Sequence, residues 1–308
     1  MVDVPVAGQD LSALKRSIGR YGVWSLALRL TDPAKRTELG DAVKELEEAG
    51  YGALWIGGSP SVQQAAVVAE ETSRVTVGTS ILSIWDHQAS AVAEQFASLD
   101  SAHPGRFLLG LGVSHAKIDD RYHRPYAAMV DYLDALDSGG PPAGRRVLAA
   151  LGPKMLKLAR DRSLGSLPYL STPEHTAQAR EALGDGPLLA PEVRVLLETD
   201  PGRARTIGRM NVPTTSLPNY TNNFLRSGFT EEDLANGGSD RLIDAVVAWG
   251  DEERIKKRLD EFFAAGADHV AVQVISEEPV TPRSLAEGQP ISPRMREGWR
   301  RLADALLT

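Results

Sequence analysis

Two histidines and a run of glycines are the residues of this 308-residue chain best suited to chemistry. His115 closes Arg106-Phe107-Leu108-Leu109-Gly110-Leu111-Gly112-Val113-Ser114-His115, an apolar run that breaks into small residues and leaves backbone approachable by a ligand. An imidazole at such a strand end serves as general acid, general base or anchor. His87, in Trp85-Asp86-His87-Gln88, follows a second run of the same plan, Val75-Thr76-Val77-Gly78-Thr79-Ser80-Ile81-Leu82, so both histidines are expected on one face. The other four suit structural roles: His103 at a helix end, His123 before a helix, His175 in a helix's first turn and His269 at a strand start.

The glycine run starts like a dinucleotide fingerprint, but His115 stands where the third glycine belongs and no strand ending in an acid follows at the expected distance. A plain tight turn explains such a run equally well. Leu148-Ala149-Ala150-Leu151-Gly152-Pro153-Lys154-Met155 reads as strand, turn and helix, with Pro153 near the first helical position. Free N–H groups there favour a phosphate, and Lys154 would add charge; a helix start with a solvated lysine is the alternative. The Gly-Lys-Ser/Thr ending of a nucleotide-binding loop is absent. There is no metal-binding histidine spacing, no carboxylate cluster and no Gly-x-Ser-x-Gly elbow. With zero cysteines, thiolate chemistry, disulfides and thiolate metal sites are also excluded. An organic cofactor is the remaining source of chemistry.

A net charge of -7 without a Lys/Arg cluster argues against nucleic-acid binding. The N-terminal residues, with Asp3, Gln9 and Asp10, lack the pattern of a secretion signal, and no apolar run reaches the length of a membrane span. A cytoplasmic protein acting on a small molecule is expected.

Strand-like and helix-like runs alternate along the chain, as in parallel βαβ units. Eight strands are expected: Val23–Leu28, Ala53–Gly57, Val75–Leu82, Arg106–Gly112, Arg146–Leu151, Ser166–Ser171, Glu192–Glu198 and His269–Ile275. Helical stripes such as Leu39/Val43/Leu46 and Ile255/Leu259/Phe262 separate them. The α/β pattern predicts a single (β/α)8 TIM barrel over residues 1–308, with its site at the C-terminal ends of the strands. A doubly wound sheet is the second choice. Residues 211–241, with Pro213, Pro218, Asn222-Asn223 and Gly237-Gly238, predict an excursion of loops and short helices before the last strand. A lid or dimer element is expected there.

Five segments resemble the luciferase-like flavin and deazaflavin oxidoreductases. They are Val77 to Leu82, the helix holding Ala93 to Asp100, Pro104 to Gly112, Ala149 to Pro153, and Ala264 to His269. In spacing they cover about residues 20 to 275. Gly110 to His115, Leu148 to Met155, Pro168 to His175 and Val247 to Asp251 are most similar to the coenzyme F420-dependent branch. The resemblance implies a homodimeric (β/α)8 barrel with the isoalloxazine or deazaflavin ring at its mouth. It also implies a cis Ser80–Ile81 peptide beneath the ring. Gly110, Gly112, Val113 and Ser114 would then lie along the ring or ribityl chain, while Leu151, Gly152, Pro153, Lys154 and Thr172 would meet the phosphate.

His115 would act as proton donor, substrate anchor or hydrogen-bond partner of a cofactor oxygen, with His87 second in line. Trp24, Trp85 and Tyr169 are candidate pocket walls. Gly57-Gly58 replaces the Asp-His pair of sugar-phosphate dehydrogenases in the family, which argues against that substrate. F420-dependent hydride transfer is the leading expectation. An FMN-dependent monooxygenase fed by a separate reductase is the second, and a cofactor-binding barrel without turnover the third. Apolar residues in Leu217-Pro218-Asn219-Tyr220 and Phe224-Leu225 would suit either a dimer contact or internal packing.

Overall fold

The computed structural model describes residues 8–117, 119–212, 217–278, 281 and 288–308. Eleven strands are found among them: β1 (Tyr21–Ser25), β2 (Ala53–Gly57), β3 (Thr76–Ser80), β4 (Leu82–Ser83), β5 (Phe107–Gly112), β6 (Arg146–Leu148), β7 (Gly165–Ser166), β8 (Leu188–Leu189), β9 (Glu192–Leu196), β10 (Val247–Trp249) and β11 (Val270–Val274). Every strand pairing is parallel, which helices between successive strands make possible.

The order β10-β9-β11-β1-β2-β3-β5-β6-β7-β8 curls the sheet back on itself. β8 and β9 are neighbouring parts of one extended stretch: β8 pairs with β7, and the Glu192 amide donates to the Pro168 carbonyl at 2.9 Å. Higher up, β9 pairs with β11 on one side and β10 on the other. The expected α/β barrel is thus the observed architecture. β10 was not anticipated as a strand; it is three residues long and enters beside the upper half of β9.

Two kinds of core hold the ring. Trp24, Ala53, Trp55, Leu108, Val147, Leu188, Ala190 and Ala271 fill its interior, whereas the larger cluster lies between strands and helices. His269 belongs to the interior, accepting from Trp55 Nε1 at 3.0 Å, with its Nδ1 2.8 Å from the Gly19 carbonyl. Burial lowers its pKa to about 4, so it is a neutral structural residue.

Strand ends differ from expectation where polar groups intervene. The first strand stops at Ser25 because its hydroxyl accepts from the Ala27 amide at 3.1 Å and starts a 3-10 turn over Leu26–Leu28. Regular pairing ends at Leu148 in β6 and Ser166 in β7, short of the expected Leu151 and Ser171. The excursion consists of helices Pro218–Arg226, Glu231–Leu234 and Asp240–Val246, with a 3-10 turn over Ala235–Gly237; Pro213 lies outside the described residues.

Candidate functional site

The C-terminal ends of β1, β2, β3 and β5 form one side of the barrel mouth. Trp24, next to last in β1, donates through Nε1 to the Ser80 carbonyl at 3.1 Å. Its indole occupies the space a side chain at Gly57 would need, since a β-carbon there would stand 2.5 Å from the ring. Gly58 has φ +74, and a β-carbon on it would meet Leu26 at 2.6 Å. Gly57-Gly58 therefore answers to packing as well as to the missing Asp-His pair. The Ser80–Ile81 peptide is cis.

The two glycines of the Gly110 to His115 run also have packing reasons. A β-carbon at Gly110 would lie 1.9 Å from the Thr79 carbonyl, and one at Gly112 would lie 2.5 Å from the Ile81 side chain. The run's accessible portion is Val113 to His115, all partly exposed. Ser114 turns the chain with φ +58. Trp85 reaches the same segment and donates to the Val113 carbonyl at 2.6 Å.

His115 faces the excursion. Its ring lies 4.9 Å from that of Tyr220, and its Nδ1 is 3.2 Å from the Asn219 amide nitrogen. Burial lowers its pKa to about 4, leaving a neutral imidazole near pH 7. It is thus better suited to anchoring than to supplying a proton. His87 is placed by its backbone, whose carbonyl accepts from Tyr132 Oη at 2.9 Å. Burial lowers its pKa too, with Asp86 opposing. Asp86 itself binds Ser59 at 3.0 Å and Arg121 at 2.6 Å.

A second cradle lies beyond β6 and β7. Gly152 precedes helix Pro153–Arg162, whose first turn has no side-chain cap. Its amide groups remain available to an anion. The atom nearest to a β-carbon built on Gly152 is Arg226 Nη2, at 4.0 Å. His175 adjoins it, with Nε2 3.0 Å from the Leu151 carbonyl and a buried Nδ1 without a partner. Burial chiefly depresses His175, and nearby Arg226 adds to the effect.

Ser171 Oγ is buried and unpartnered as well. The Thr172 hydroxyl is already engaged, accepting from the His175 amide at 3.3 Å to cap helix Pro173–Leu183. Lys154 is exposed. An uncapped helix start, a guanidinium and two orphaned polar atoms fit a phosphate. Arg226 is therefore more directly placed for it than Lys154 or Thr172.

On the remaining side of the mouth, the expected pocket wall Tyr169 meets Arg194, Glu192 and Gln273, which sequence inspection passed over. Tyr169 stands 5.5 Å from Trp24 and 5.7 Å from Tyr220, ring to ring. Arg194 donates to its hydroxyl at 2.5 Å, and that hydroxyl donates to Gln273 at 3.3 Å. Glu192 lies two residues before Arg194 on the same strand; each is 4% exposed. The available signal was alternating charge in a strand that a parallel barrel buries on both faces. No group of three or more metal-ligating side chains is present among the described residues.

Residues 20–139 match the family model described as luciferase-like monooxygenase. Over that stretch the chain is similar to that family. A Mycobacterium tuberculosis protein bearing the name of a coenzyme F420-dependent oxidoreductase is 24% identical to this chain, covering 82% of it and 94% of the relative. Among solved structures, the coenzyme F420-dependent tetrahydromethanopterin reductase of Methanopyrus kandleri superposes with a TM-score of 0.69 at 17% identity, over 94% of this chain and 98% of that one. The oxygenating constituent of 3,6-diketocamphane monooxygenase from Pseudomonas putida, solved with FMN, gives 0.63 at 12% identity, over 92% and 96%. At these identities the two structures establish the shared luciferase-like fold.

Proposed function

We propose that the protein is a coenzyme F420-dependent oxidoreductase that moves a hydride between the deazaflavin and a small organic substrate. The observation carrying this reading is the pairing of the uncapped Gly152 helix start and Arg226 with a separate aromatic mouth at Trp24, Trp85, Tyr169 and His115. A cofactor with a phosphate tail and a flat head calls for both. The Mycobacterium tuberculosis relative favours the deazaflavin by name.

When bound, the deazaflavin supplies or accepts a hydride at C5. The chain's own contribution is placement. Gly152 amides and Arg226 would hold the phosphate, Val113 and Ser114 the chain leading from it, and Ser80-Ile81 the underside of the ring. Trp24, Trp85 and Tyr169 would wall the substrate space and exclude water. His115, neutral and near Asn219, would hydrogen-bond a substrate or cofactor oxygen.

Titration with oxidised F420 and, in parallel, FMN, followed by fluorescence, tests the reading. Selective F420 binding that disappears in Gly152→Asp is expected. Preference for FMN would overturn it in favour of oxygen chemistry fed by a separate reductase, a reading supported by the likeness to the FMN-bound Pseudomonas putida protein. Failure to bind either would leave a barrel without turnover.

A further inference from the structure

Glu192 and Arg194 have no part in the cofactor sites described above, yet both are buried at 4% exposure inside the barrel. They occupy alternate positions of β9, and Ala271 and Gln273 stand opposite them on β11. Ala271 and Ala190 lie in the interior core, so alternation turns Glu192 and Arg194 inwards. Both Glu192 carboxyl oxygens lack a hydrogen-bond partner, as do Nε and Nη1 of Arg194. Only Nη2 is engaged, on the Tyr169 hydroxyl, and the guanidinium carbon lies 4.7 Å from the centre of that ring.

A buried cation with two unused donors beside a carboxyl that receives nothing is a poor way to stabilise a core; apolar side chains of similar volume would serve better. The arrangement makes physical sense once a further group completes it. Burial raises the Glu192 pKa to about 8 against the pull of Arg194, so near neutrality the carboxyl carries its proton and can donate. The pair is then one negative charge short of balance. One planar monoanion supplies it, accepting from the guanidinium and from the carboxyl together.

Aromatic rings lead away from this point. Tyr169 lies 5.7 Å from Tyr220, and Tyr220 lies 4.9 Å from His115. We propose that Arg194 and Glu192, backed by Tyr169 and Gln273, form the receptor for the carboxylate of a small organic acid whose apolar part lies along Tyr169 and Tyr220 towards His115. The receptor names the substrate class of the oxidoreductase reading and rests on that reading for its purpose. Carboxylate binding itself needs no cofactor, so the two fail separately.

The groups facing Glu192 are Arg194 on its own strand, Tyr169 after β7, Gln273 on β11 and Tyr220 of the excursion. Burial pushes both tyrosines well above their ordinary range, so they stay neutral while Glu192 titrates. Isothermal calorimetry of the cofactor-free protein with propionate, from pH 6 to 10, reads the receptor directly, with propionamide as the uncharged control.

Propionate affinity is expected to be level to pH 7 and then to fall about tenfold per pH unit above 8, as Glu192 loses its proton. Propionamide should not compete. Glu192→Gln should still bind propionate but lose the pH dependence, because its amide donates at every pH. Arg194→Gln should lose binding by more than about tenfold. Circular dichroism checks that each variant folds, and the wild-type pH profile stands without them. Absence of propionate binding, a flat wild-type profile, or a slope surviving in Glu192→Gln would each overturn the proposal.

Discussion

Arg226 Nη2 lies 4.0 Å from the point where a β-carbon on Gly152 would stand, so the excursion brings a guanidinium to the start of a barrel helix, at the proposed phosphate site. Removing the guanidinium with Arg226→Ala should weaken F420 binding by about 1.5–3 kcal/mol, roughly ten- to 150-fold, the range for a hydrogen bond to a charged group. Fluorescence titration measures this. A variant binding as tightly as the wild type would place the phosphate elsewhere.

His115→Ala is expected to lower turnover by roughly five- to thirtyfold, the loss of a neutral hydrogen bond of about 1–2 kcal/mol at the reacting end. Cofactor affinity should change less. With its pKa lowered to about 4 by burial, His115 should contribute no limb to the pH–rate profile between pH 5 and 8. Steady-state kinetics across that range checks both statements, and unchanged turnover would remove His115 from the reaction.

Glu192 also links stability to pH. Its folded pKa, about 8, lies above its unfolded value near 4.5, so between these limits the folded state holds a proton that the unfolded state has released. The stabilisation is fully present below pH 4.5 and is lost as pH rises through 8. In urea unfolding, the stability of wild type relative to Glu192→Gln should therefore fall by up to about 1.4 kcal/mol per pH unit from pH 5 to 8. A level difference would show that Glu192 is ionised in the folded protein.

Gly57→Ala drives a methyl group to within 2.5 Å of the Trp24 ring. The indole is held by its bond to Ser80, so the expected cost is about 1–3 kcal/mol of overpacking. Thermal melting would show a lowered midpoint. A neutral result would mean that Trp24 moves aside easily and is a poor pocket wall.

The barrel was legible because its strands are apolar runs separated by amphipathic stripes, both set by local spacing. Helix Glu252–Ala264 buries Ile255, Leu259 and Phe262, the stripe its sequence shows. The site was legible where a turn leaves a local mark, as at Val113 to His115 and at Gly152-Pro153. Long-range approach leaves none. Arg226 meets Gly152 across 74 residues, and Arg194 meets Tyr169 across 25. Phe224 is buried in the chain's own second core, and Asn219 and Tyr220 turn towards His115, so these excursion residues pack internally. Apolar content alone does not separate that outcome from a dimer contact.

The nine-residue helix Pro218–Arg226 carries Asn219 and Tyr220 at its start and Arg226 at its last turn. The six residues from Tyr220 to Arg226 rise by about 9 Å, a fixed separation because the helix does not stretch. It acts as a gauge, holding one end against His115 and the other against Gly152. Under the proposed function, a molecule of the wrong length would satisfy one end only, and the helix would select its cofactor by length before any contact with the ring is made.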